Sequence, residues 1–313
     1  MNSTFENRWI MYFRNNGYPD TTELAKGMEG AVYSLIPHKL IAKVWIDQSE
    51  KKLRRFATFY SHLAFHIHPV QTSELVNVIV VDNTTITIEK FLPGLPLESY
   101  ISMDSQHIDD RAIHATIKIL SILKNVPVKE EFGSLSIFGE NCGMIDGKRK
   151  WSDVVQNVLD LQVKKYGKQL RFYIPDLDDV LLAINSFLIT RDKVPMSIIH
   201  GDLCNANIMT NSNLQPLAVF DFCFMLPVGD PAFDASISSA IFNMYGQHAR
   251  SIIHKVTRVV CDSLNIEIEV LLAYRAVYAI MTSNLYSPDG TDGHFKWCVN
   301  MLHQKELRSV LGL

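Results

Sequence analysis

Three polar side chains in the second half of the chain have types and spacing that can support chemistry. Asp202 follows the short apolar run Ser197–Ile199, Asn207 lies five residues later, and Asp221 ends a second apolar run. Carboxylate and amide oxygens are ligands that magnesium prefers, so Asn207 and Asp221 can hold such an ion. A carboxylate free of the metal can orient an acceptor hydroxyl and take its proton, and Asp202 is left for that role. The set therefore predicts phosphoryl transfer.

Short strands must bring these three residues together. Ser197–Ile199, Ile208–Met209 and Leu217–Phe220 are apolar runs of strand type, and the turn Asn211–Asn213 separates the last two. The resulting hairpin would place the three polar residues at one edge.

Asp and Asn also have a plain structural use, because both cap turns at strand ends. That interpretation is favoured for any one of the three residues taken alone. It is a poor account of all three in this order, followed by the stretch Gly229-Asp230-Pro231-Ala232-Phe233-Asp234. The whole pattern favours phosphoryl transfer.

A longer motif surrounds these residues: His200-Gly201-Asp202-Leu203-Cys204-Asn205-Ala206-Asn207, then Asp221-Phe222-Cys223, then Gly229-Asp230-Pro231 and Asp234. It resembles the aminoglycoside phosphotransferase family, which shares the two-lobed protein-kinase-like fold. The resemblance implies an α+β protein with a small antiparallel sheet lobe followed by a mainly helical lobe. It also implies Asp202 as catalytic base, Asn207 and Asp221 as magnesium ligands, and Asp230 and Asp234 as organisers of the loop and the following helix.

Two local features separate the chain from a protein kinase. Gly201 stands where a kinase of the H-R-D type carries an Arg that pairs with an activation-loop phosphate. Only Phe222–Val228 separate Asp221 from Gly229, which leaves little room for an activation loop. A small-molecule hydroxyl is therefore the expected acceptor, with ATP or GTP as the phosphoryl donor.

The resemblance favours an aminoglycoside-like antibiotic as that acceptor. Tyr274, Arg275 and Tyr278 share or adjoin one helix face, and they either line the acceptor pocket or lie in the core. Asp289 and Asp292 either attract a cationic ligand or form a solvated turn. Acids and bases nearly balance over the last helices, so the acidic surface that suits a polycation is not visible. A small metabolite, such as an amino alcohol, a sugar or a homoserine-like compound, stays an alternative, and so does a nucleotide-binding module without catalysis.

Residues in the first half of the chain predict a nucleotide site. Gly27, Gly30 and Ala31 lie in a turn between two predicted strands, where glycines let backbone amides approach phosphate oxygens. Lys43 is the single Lys in the strand Leu40–Trp45 and resembles the kinase lysine that reaches the α- and β-phosphates. The alternatives are an ordinary hairpin turn and an edge-exposed lysine.

The helix predicted over Ser49–Leu63 would normally supply an acid to pair with Lys43. Glu50 is its only acid. Because Glu50 lies at the N-terminal end, it can also simply complement the helix dipole, and both roles stay open.

The segment Ile86–Gly94 resembles the connection between the lobes, where backbone groups bind adenine. Glu89 and Phe91 are assigned to the adenine site by position, although a strand that ends at Pro93-Gly94 explains the same letters. The lobe boundary is placed near Phe91, giving a nucleotide-binding lobe over residues 1–91 and a helical lobe over residues 92–313.

Periodicity and capping residues predict the remaining elements. Strands are expected over Leu75–Val81 and Thr84–Phe91, and helices over Glu6–Asn16, His107–Asn125, Ser152–Lys165, Ala232–Tyr245, Ala249–Leu264, Glu267–Asn284 and Gly293–Val310. A glycine-rich loop is expected over Phe132–Trp151, and its pattern is similar to the hygromycin-type branch of the family.

Composition excludes several classes of protein. The 313 residues are 47% hydrophobic with a net charge of −3, and the basic residues are dispersed, so no nucleic-acid partner is expected. Five separated cysteines without a C-x-x-C pair argue against a disulfide framework or a zinc site. No signal-peptide pattern and no apolar run of membrane-spanning length is present, so we expect a cytoplasmic protein without a membrane partner.

Overall fold

The structure is a computed structural model that describes residues 3–135, 150–222 and 225–313. Its helices are α1 (Ser3–Asn15), α2 (Glu50–Ile67), α3 (Asp110–Lys124), α4 (Trp151–Tyr173), α5 (Leu177–Arg191), α6 (Pro231–Ile241), α7 (Ala249–Leu264), α8 (Ile268–Thr282), α9 (Gly293–Leu302) and α10 (Lys305–Val310). Its strands are β1 (Thr22–Lys26), β2 (Gly30–Leu35), β3 (Leu40–Trp45), β4 (Leu75–Val81), β5 (Thr84–Lys90), β6 (Leu95–Pro96), β7 (Ser197–Ile198), β8 (Ile208–Thr210), β9 (Pro216–Val219) and β10 (Val228–Gly229).

The chain divides into two compact units. The first holds the chain up to Gly94 together with Leu217–Phe220, and the second holds Leu95–Pro216 together with Asp221–Leu313. The short segment of β9 joins the first unit through Gln71, whose N–H donates to the Leu217 carbonyl at 2.8 Å. The first unit is thus dominated by strands and the second by helices.

An antiparallel sheet with the strand order β1-β2-β3-β5-β4 forms the first unit. Successive side chains of a strand point to opposite faces, so the two faces of this sheet differ in composition. One face buries Tyr33, Val44 and Ile86 against Trp9 and Phe13 of α1. The opposite face carries Lys43 together with Thr87, its register partner on β5, and Glu89, two residues further along β5.

Helix α2 is built on a capped start and one apolar stripe. The Ser49 hydroxyl accepts a hydrogen bond from the Lys52 N–H at 3.3 Å, which satisfies one of the free N–H groups of the first turn. The buried side chains recur at intervals of three and four residues, and they are Leu53, Phe56, Phe59, Tyr60, Leu63 and Ile67. Because the apolar stripe continues to Ile67, helix α2 ends one turn later than the predicted end at Leu63.

Helices α6 and α8 lie at the centre of the second unit. Small and apolar residues cover every side of both, so both are buried almost throughout, as expected of helices without a polar face. Around them pack α4, α5 and α9, with Trp151, Ile184, Phe233, Tyr274 and Phe295 among the fully buried side chains.

Two elements of the second unit differ from expectation. No element is predicted from the sequence between Lys165 and Ser197, yet α4 continues to Tyr173 and α5 follows. The exposed apolar residues Leu182 and Ile189 obscure the helical period of α5. The single helix expected over Gly293–Val310 is broken at its middle into α9 and α10.

Most of the loop predicted over Phe132–Trp151 lies outside the described residues. In the parts of the chain that are described, no helix is both long and apolar enough to span a bilayer.

Candidate active site

A two-stranded pair positions the candidate catalytic loop. Strand β7 pairs antiparallel with β10, which sets Ile198 opposite Val228. The chain leaves β7 through Gly201, whose backbone has a φ of +82°, a conformation that side chains disfavour. A Cβ there would also lie 3.1 Å from the backbone of Leu226. Asp202 therefore begins a tightly packed turn that requires glycine before it.

Asp202 and Asn207 are brought together within this turn. The Asn207 side-chain amide donates to the Asp202 carbonyl oxygen at 3.0 Å, and the Cys204 N–H donates to the same oxygen at 2.8 Å. Burial raises the pKa of the Cys204 thiol to about 12, so this cysteine stays protonated and is not a nucleophile. The loop presents one carboxylate and one amide, as the sequence predicted.

The hydrogen bonding of Asn207 leaves an oxygen atom of the kind that magnesium prefers as a ligand. Because the Asn207 amide nitrogen is committed to the Asp202 carbonyl, its amide oxygen is the atom left for a cation. Asp221 follows β9 with a φ of +67°, a strained conformation for a residue with a side chain. Within the described residues, no group of three or more His, Cys, Asp or Glu side chains can hold a metal. Asn207 and Asp221 would then share the ion with phosphate oxygens and water.

The Asp234 carboxylate binds the backbone of the loop just before Asp202. One carboxylate oxygen accepts the His200 N–H at 2.6 Å and the other accepts the Gly201 N–H at 2.8 Å. Burial raises the pKa of Asp234 to about 6, although the two N–H groups favour its ionised form. The carboxylate fixes the backbone immediately before Asp202, which agrees with the organising role that the resemblance implied.

Asp230 ties four helices to the same region. Its side chain caps α6 by accepting the Ala232 N–H at 2.9 Å. The second oxygen accepts from the Arg191 guanidinium of α5 and from the Tyr274 hydroxyl of α8, both at 2.7 Å. The indole N–H of Trp151 in α4 donates to the Tyr274 hydroxyl at 2.8 Å. The network is buried and hydrogen-bonded, so it is an arrangement that fixes side chains in one geometry.

The predicted phosphate-covering turn is closed by its own backbone. The Gly27 N–H donates to the Gly30 carbonyl at 2.8 Å, so this amide is already used within the turn. A Cβ on Gly30 would lie 1.9 Å from the Val44 carbonyl oxygen. Close approach of β3 therefore requires glycine at position 30, whether or not a phosphate binds there. Ala31 is buried in the sheet core. The phosphate-binding role of these residues stays a prediction.

Lys43 pairs with an acid from this turn. Its ammonium lies 2.6 Å from the Glu29 carboxylate, and only 14% and 15% of the two side chains is exposed. Glu50 instead lies 2.6 Å from the Arg54 guanidinium on the surface of α2. Of the two roles left open for Glu50, the structure supports the one at the helix end.

A line of polar contacts continues from Lys43 along the sheet. The ammonium lies 4.0 Å from the centroid of the Trp45 ring, a cation–π distance. The indole N–H donates to the Thr87 hydroxyl at 3.0 Å, and this hydroxyl donates to the Glu89 carboxylate at 2.7 Å. Position along the chain predicts only a backbone role for Glu89, whereas its buried side chain belongs to this line.

The backbone at the predicted adenine site is partly engaged. Glu89 lies within β5, which pairs with β3 on one side and β4 on the other. The Phe91 N–H donates to the Lys39 carbonyl at 2.9 Å. This N–H is not free for adenine in the arrangement described, so the assignment of Glu89 and Phe91 stays a prediction resting on position.

The residues proposed to line an acceptor pocket separate into two groups. Tyr274 is fully buried in the Asp230 network, and Arg275 is buried with its guanidinium donating to the Ser239 hydroxyl at 3.0 Å and to the Thr257 hydroxyl. Both belong to the helical core. Tyr278 belongs to a different group of rings.

That group, which we call the aromatic cluster, comprises Tyr245, Tyr278, Tyr286, His294 and Trp297. The Tyr286 ring lies 5.1 Å and the Trp297 ring 6.0 Å from the His294 ring, and the Tyr278 ring lies 6.1 Å from that of Trp297. The Tyr245 hydroxyl is 3.1 Å from His294 Nδ1. Tyr245 and Tyr286 are more than half exposed, so the cluster presents ring faces to its surroundings.

The cluster is connected to the catalytic loop. The Asn205 side-chain amide donates to the Phe242 carbonyl at 2.7 Å, three residues before Tyr245. Burial raises the pKa of Tyr286, and the negative charge of Asp202 is the next largest cause. Since charge effects fall with distance, this places Tyr286 within electrostatic range of Asp202.

Asp292 borders the cluster. Asp292 accepts the Phe295 N–H at 2.7 Å and thereby caps α9, while Asp289 lies in an exposed turn. Burial lowers the pKa of His294, so the ring stays neutral at physiological pH. The cluster is therefore aromatic and nearly uncharged.

A family model described as the phosphotransferase enzyme family matches residues 20–251. The matched range covers well over half of the chain and includes the turn at Glu29, Lys43, Asp202, Asn207 and Asp221. The chain belongs to this phosphotransferase family. The predicted enzyme class, a phosphotransferase with an alcohol group as acceptor, is confirmed.

Solved structures show the same fold as this phosphotransferase. The aminoglycoside phosphotransferase APH(3'')-Id from Streptomyces rimosus ATCC10970 matches with a TM-score of 0.59 at 13% identity, over 88% of this chain and 98% of that one. The same enzyme in complex with ADP and streptomycin gives 0.59 at 14% identity with equal coverage. An aminoglycoside-3'-phosphotransferase of type VIII gives 0.51 at 13% identity, again over 88% and 98%. No curated protein matches by sequence.

These matches confirm the predicted α+β, protein-kinase-like fold, with an antiparallel sheet in the N-terminal part and helices in the C-terminal part. At such low identity they show the fold alone. The sequence analysis assigned no role to three residues that contact the predicted site residues or the aromatic cluster of this phosphotransferase, namely Glu29, Arg191 and His294. The sequence does point to Glu29, because this acid lies between Gly27 and Gly30 and only 14 residues before Lys43, for which helix α2 supplies a single acid at its end. Arg191 had none, since its partner Asp230 lies far away along the chain, and His294 belongs to no motif that the sequence analysis used.

Proposed function

We propose that this phosphotransferase transfers the γ-phosphoryl group of ATP or GTP to a hydroxyl of an aminoglycoside-like antibiotic in the cytoplasm. The observation that carries the proposal is the turn that holds Asp202 beside Asn207 and is fixed by the buried Asp234 carboxylate. Transfer to such an antibiotic would inactivate it and confer resistance.

In the proposed reaction, each predicted site residue has one role. Asp202 accepts the proton of the acceptor hydroxyl as its oxygen bonds to the γ-phosphorus and the nucleoside diphosphate leaves. Asn207 and Asp221 hold magnesium, which would neutralise charge on the phosphates. Lys43 binds the phosphates, and the turn with Gly27, Gly30 and Ala31 covers them. By position, the backbone at Glu89 and Phe91 binds adenine, and the lobe boundary lies near residue 91.

The aminoglycoside assignment is supported by the neighbours in fold. Both named neighbours are aminoglycoside phosphotransferases, and one was solved with ADP and streptomycin. They support a nucleotide donor and a small-molecule acceptor for this chain.

A second candidate is transfer to a small hydroxylated metabolite, such as an amino alcohol or a sugar. The aromatic cluster favours it, because its rings are neutral and Asp292, the acid beside them, uses one carboxylate oxygen to cap α9. A polycation is better matched by several free carboxylates. The matched family range ends at Ser251, so most of the cluster lies beyond it.

The test is magnesium-dependent transfer from ATP and from GTP across aminoglycosides, including streptomycin and hygromycin B, and across hydroxylated metabolites. The product would be identified by mass spectrometry. Asp202→Ala should lower turnover about 10²- to 10⁴-fold and leave nucleotide binding intact, since the base acts on the acceptor. Asp104→Ala, which removes an exposed Asp of the same unit, should change neither quantity.

The outcomes separate the candidates. A phosphorylated aminoglycoside, lost with Asp202→Ala, supports the first candidate. A phosphorylated metabolite alone supports the second and rejects the first. Nucleotide binding without transfer to any acceptor contradicts both and indicates a binding module.

A further inference from the structure

The acid that pairs with Lys43 is Glu29, and it does not come from helix α2, the element expected to supply it. Lys43 lies in the middle of β3, opposite Val32 on β2 and Thr87 on β5. Its partner lies in the turn that connects β1 to β2, the same turn that the proposed function places over the phosphates. The two atoms lie 2.6 Å apart and both side chains are largely buried, so separating them would leave a buried charge unpaired, which costs more than breaking an exposed ion pair.

Helix α2 offers no acid that could take the place of Glu29. Its eighteen residues contain Glu50 as their only Asp or Glu. The Glu50 carboxylate accepts from Arg54 at 2.6 and 2.9 Å, and both side chains are largely exposed. An i, i+4 pair of this kind stabilises the helix surface, and the Arg54 guanidinium also donates to the Val78 carbonyl of β4 at 3.3 Å. The Glu50 carboxylate is therefore engaged with Arg54 and not with Lys43.

The turn is built so that Glu29 reaches Lys43. The Glu29 carbonyl accepts the Ile46 N–H at 2.8 Å, directly after the end of β3. Gly30, with no Cβ, lets the turn approach the Val44 carbonyl more closely than any other residue allows. The main chain at Glu29 is therefore anchored to the end of the strand that carries Lys43.

The remaining side of Lys43 is also fixed. The Trp45 ring lies 4.0 Å from the ammonium, and the indole N–H is held by Thr87 at 3.0 Å. A ring that is itself hydrogen-bonded cannot rotate away without breaking that bond. Glu29 and Trp45 together leave Lys43 a narrow range of rotamers.

We propose that Glu29 is the positioning residue for Lys43, and that its carboxylate aims the ammonium at the nucleotide phosphates. The acid that orients the phosphate-binding lysine thus comes from the phosphate-covering turn instead of from helix α2. This inference rests on the proposed function in one respect, namely that Lys43 binds nucleotide phosphates. Its consequence is that the turn and the lysine act as one unit.

The test compares nucleotide affinity in the unmodified protein and four variants, with magnesium and either ATP or GTP, by calorimetry without any acceptor. The variants are Glu29→Gln, Lys43→Ala, the double variant that combines them, and Glu50→Gln as the matched control. Glu29→Gln keeps the size of the side chain and removes its charge. We expect it to weaken nucleotide binding about tenfold, as is typical when the partner that orients a binding side chain is lost.

Glu50→Gln should change the affinity less than about twofold, because its partner is Arg54. In the Lys43→Ala background, Glu29→Gln should have no further effect, since Glu29 acts through the lysine. A purely structural role would instead lower the affinity equally in both backgrounds. Thermal unfolding of each variant checks that the fold is retained.

Three results would overturn the inference. Unchanged affinity in Glu29→Gln, or an equal loss in the Lys43→Ala background, shows that Glu29 does not position the lysine. Tighter binding in Glu29→Gln shows that the carboxylate competes with the phosphates for Lys43. These results leave the proposed function standing as long as Lys43→Ala weakens binding. If the unmodified protein binds neither nucleotide, the proposed function fails and this inference fails with it.

Discussion

Asp234 is the residue through which pH should act on the catalytic loop. Both of its oxygens accept backbone N–H groups, and burial raises its pKa to about 6. Protonation turns one acceptor into an O–H group that faces an N–H donor, so one loop contact is lost. We expect turnover to fall as the pH drops through about 6, with the loop loosened before Asp202.

The sign of the stability effect is opposite to that of turnover. Because the folded-state pKa lies above the ordinary value of 3.8, the contribution of Asp234 to stability is fully present below 3.8 and is lost as the pH rises through about 6. Acidification through this window should therefore lower activity without a loss of folding free energy from this group. Protection factors for hydrogen exchange at the His200 and Gly201 amides, which correct the observed rate for the intrinsic rate at each pH, check this when measured from about pH 7.5 to about 5.5. Unchanged protection factors across the range would contradict it.

Single residues differ in how far the sequence reveals them. The proximity of Asp202 and Asn207 could be predicted because both lie within one short turn, where spacing along the chain sets spacing in space. Glu29 could not be paired with Lys43 from sequence alone. That pairing depends on the register of β2 against β3 and on the close approach at Gly30.

Helix α8 places one positive charge, that of Arg275, in the buried core of the second unit. Arg275 is only 4% exposed, and within the described chain its guanidinium donates to the hydroxyls of Ser239 and Thr257. Burial lowers its pKa to about 10, which reflects the cost of keeping a cation away from water. Both hydroxyls also donate to carbonyls of their own helices, so they stay satisfied without the arginine.

Replacing this arginine should therefore stabilise the protein. Arg275→Met keeps an unbranched side chain and removes the buried charge, and we expect the free energy of unfolding to rise by about 1 kcal/mol or more. Urea denaturation measures the change. Arg258→Met, on the exposed side of α7, is the control and should stay within about 0.5 kcal/mol. A large loss of stability in Arg275→Met would show that the charge has an anionic partner.

At the scale of elements, the sequence is informative where one local rule decides. Strands β3 and β4 and helix α7 have the predicted bounds, because alternation defines β3, an apolar run ended by the turn Asp82-Asn83 defines β4, and a single apolar stripe defines α7. Helix α5 was missed because exposed apolar residues hide its period. The break between α9 and α10 was missed because neither Pro nor Gly marks it and packing decides where the helix ends.

For the whole molecule, the family match and the rings proposed to bind the acceptor lie in different parts of the chain. The matched range holds the residues proposed for nucleotide, metal and base, and it ends at Ser251. Tyr278, Tyr286 and His294 follow that range and could not be assigned from motifs. Their grouping arises only from the packing of α8 against α9. We therefore expect mutations at the exposed rings of the aromatic cluster beyond Ser251 to change which acceptor is used and to spare the reaction itself.

Tyr286 is the residue with which to test this division. Its ring is 55% exposed, so Tyr286→Ala removes a ring face from the aromatic cluster with little effect on the core. Loss of one aromatic contact should raise the KM for the acceptor about three- to tenfold and leave the KM for the nucleotide unchanged. Phe172→Ala, which removes an exposed ring of α4 outside the cluster, should change neither constant. If Tyr286→Ala instead lowers turnover at saturating acceptor and spares KM, the ring acts on the loop that holds Asp202 and does not bind the acceptor.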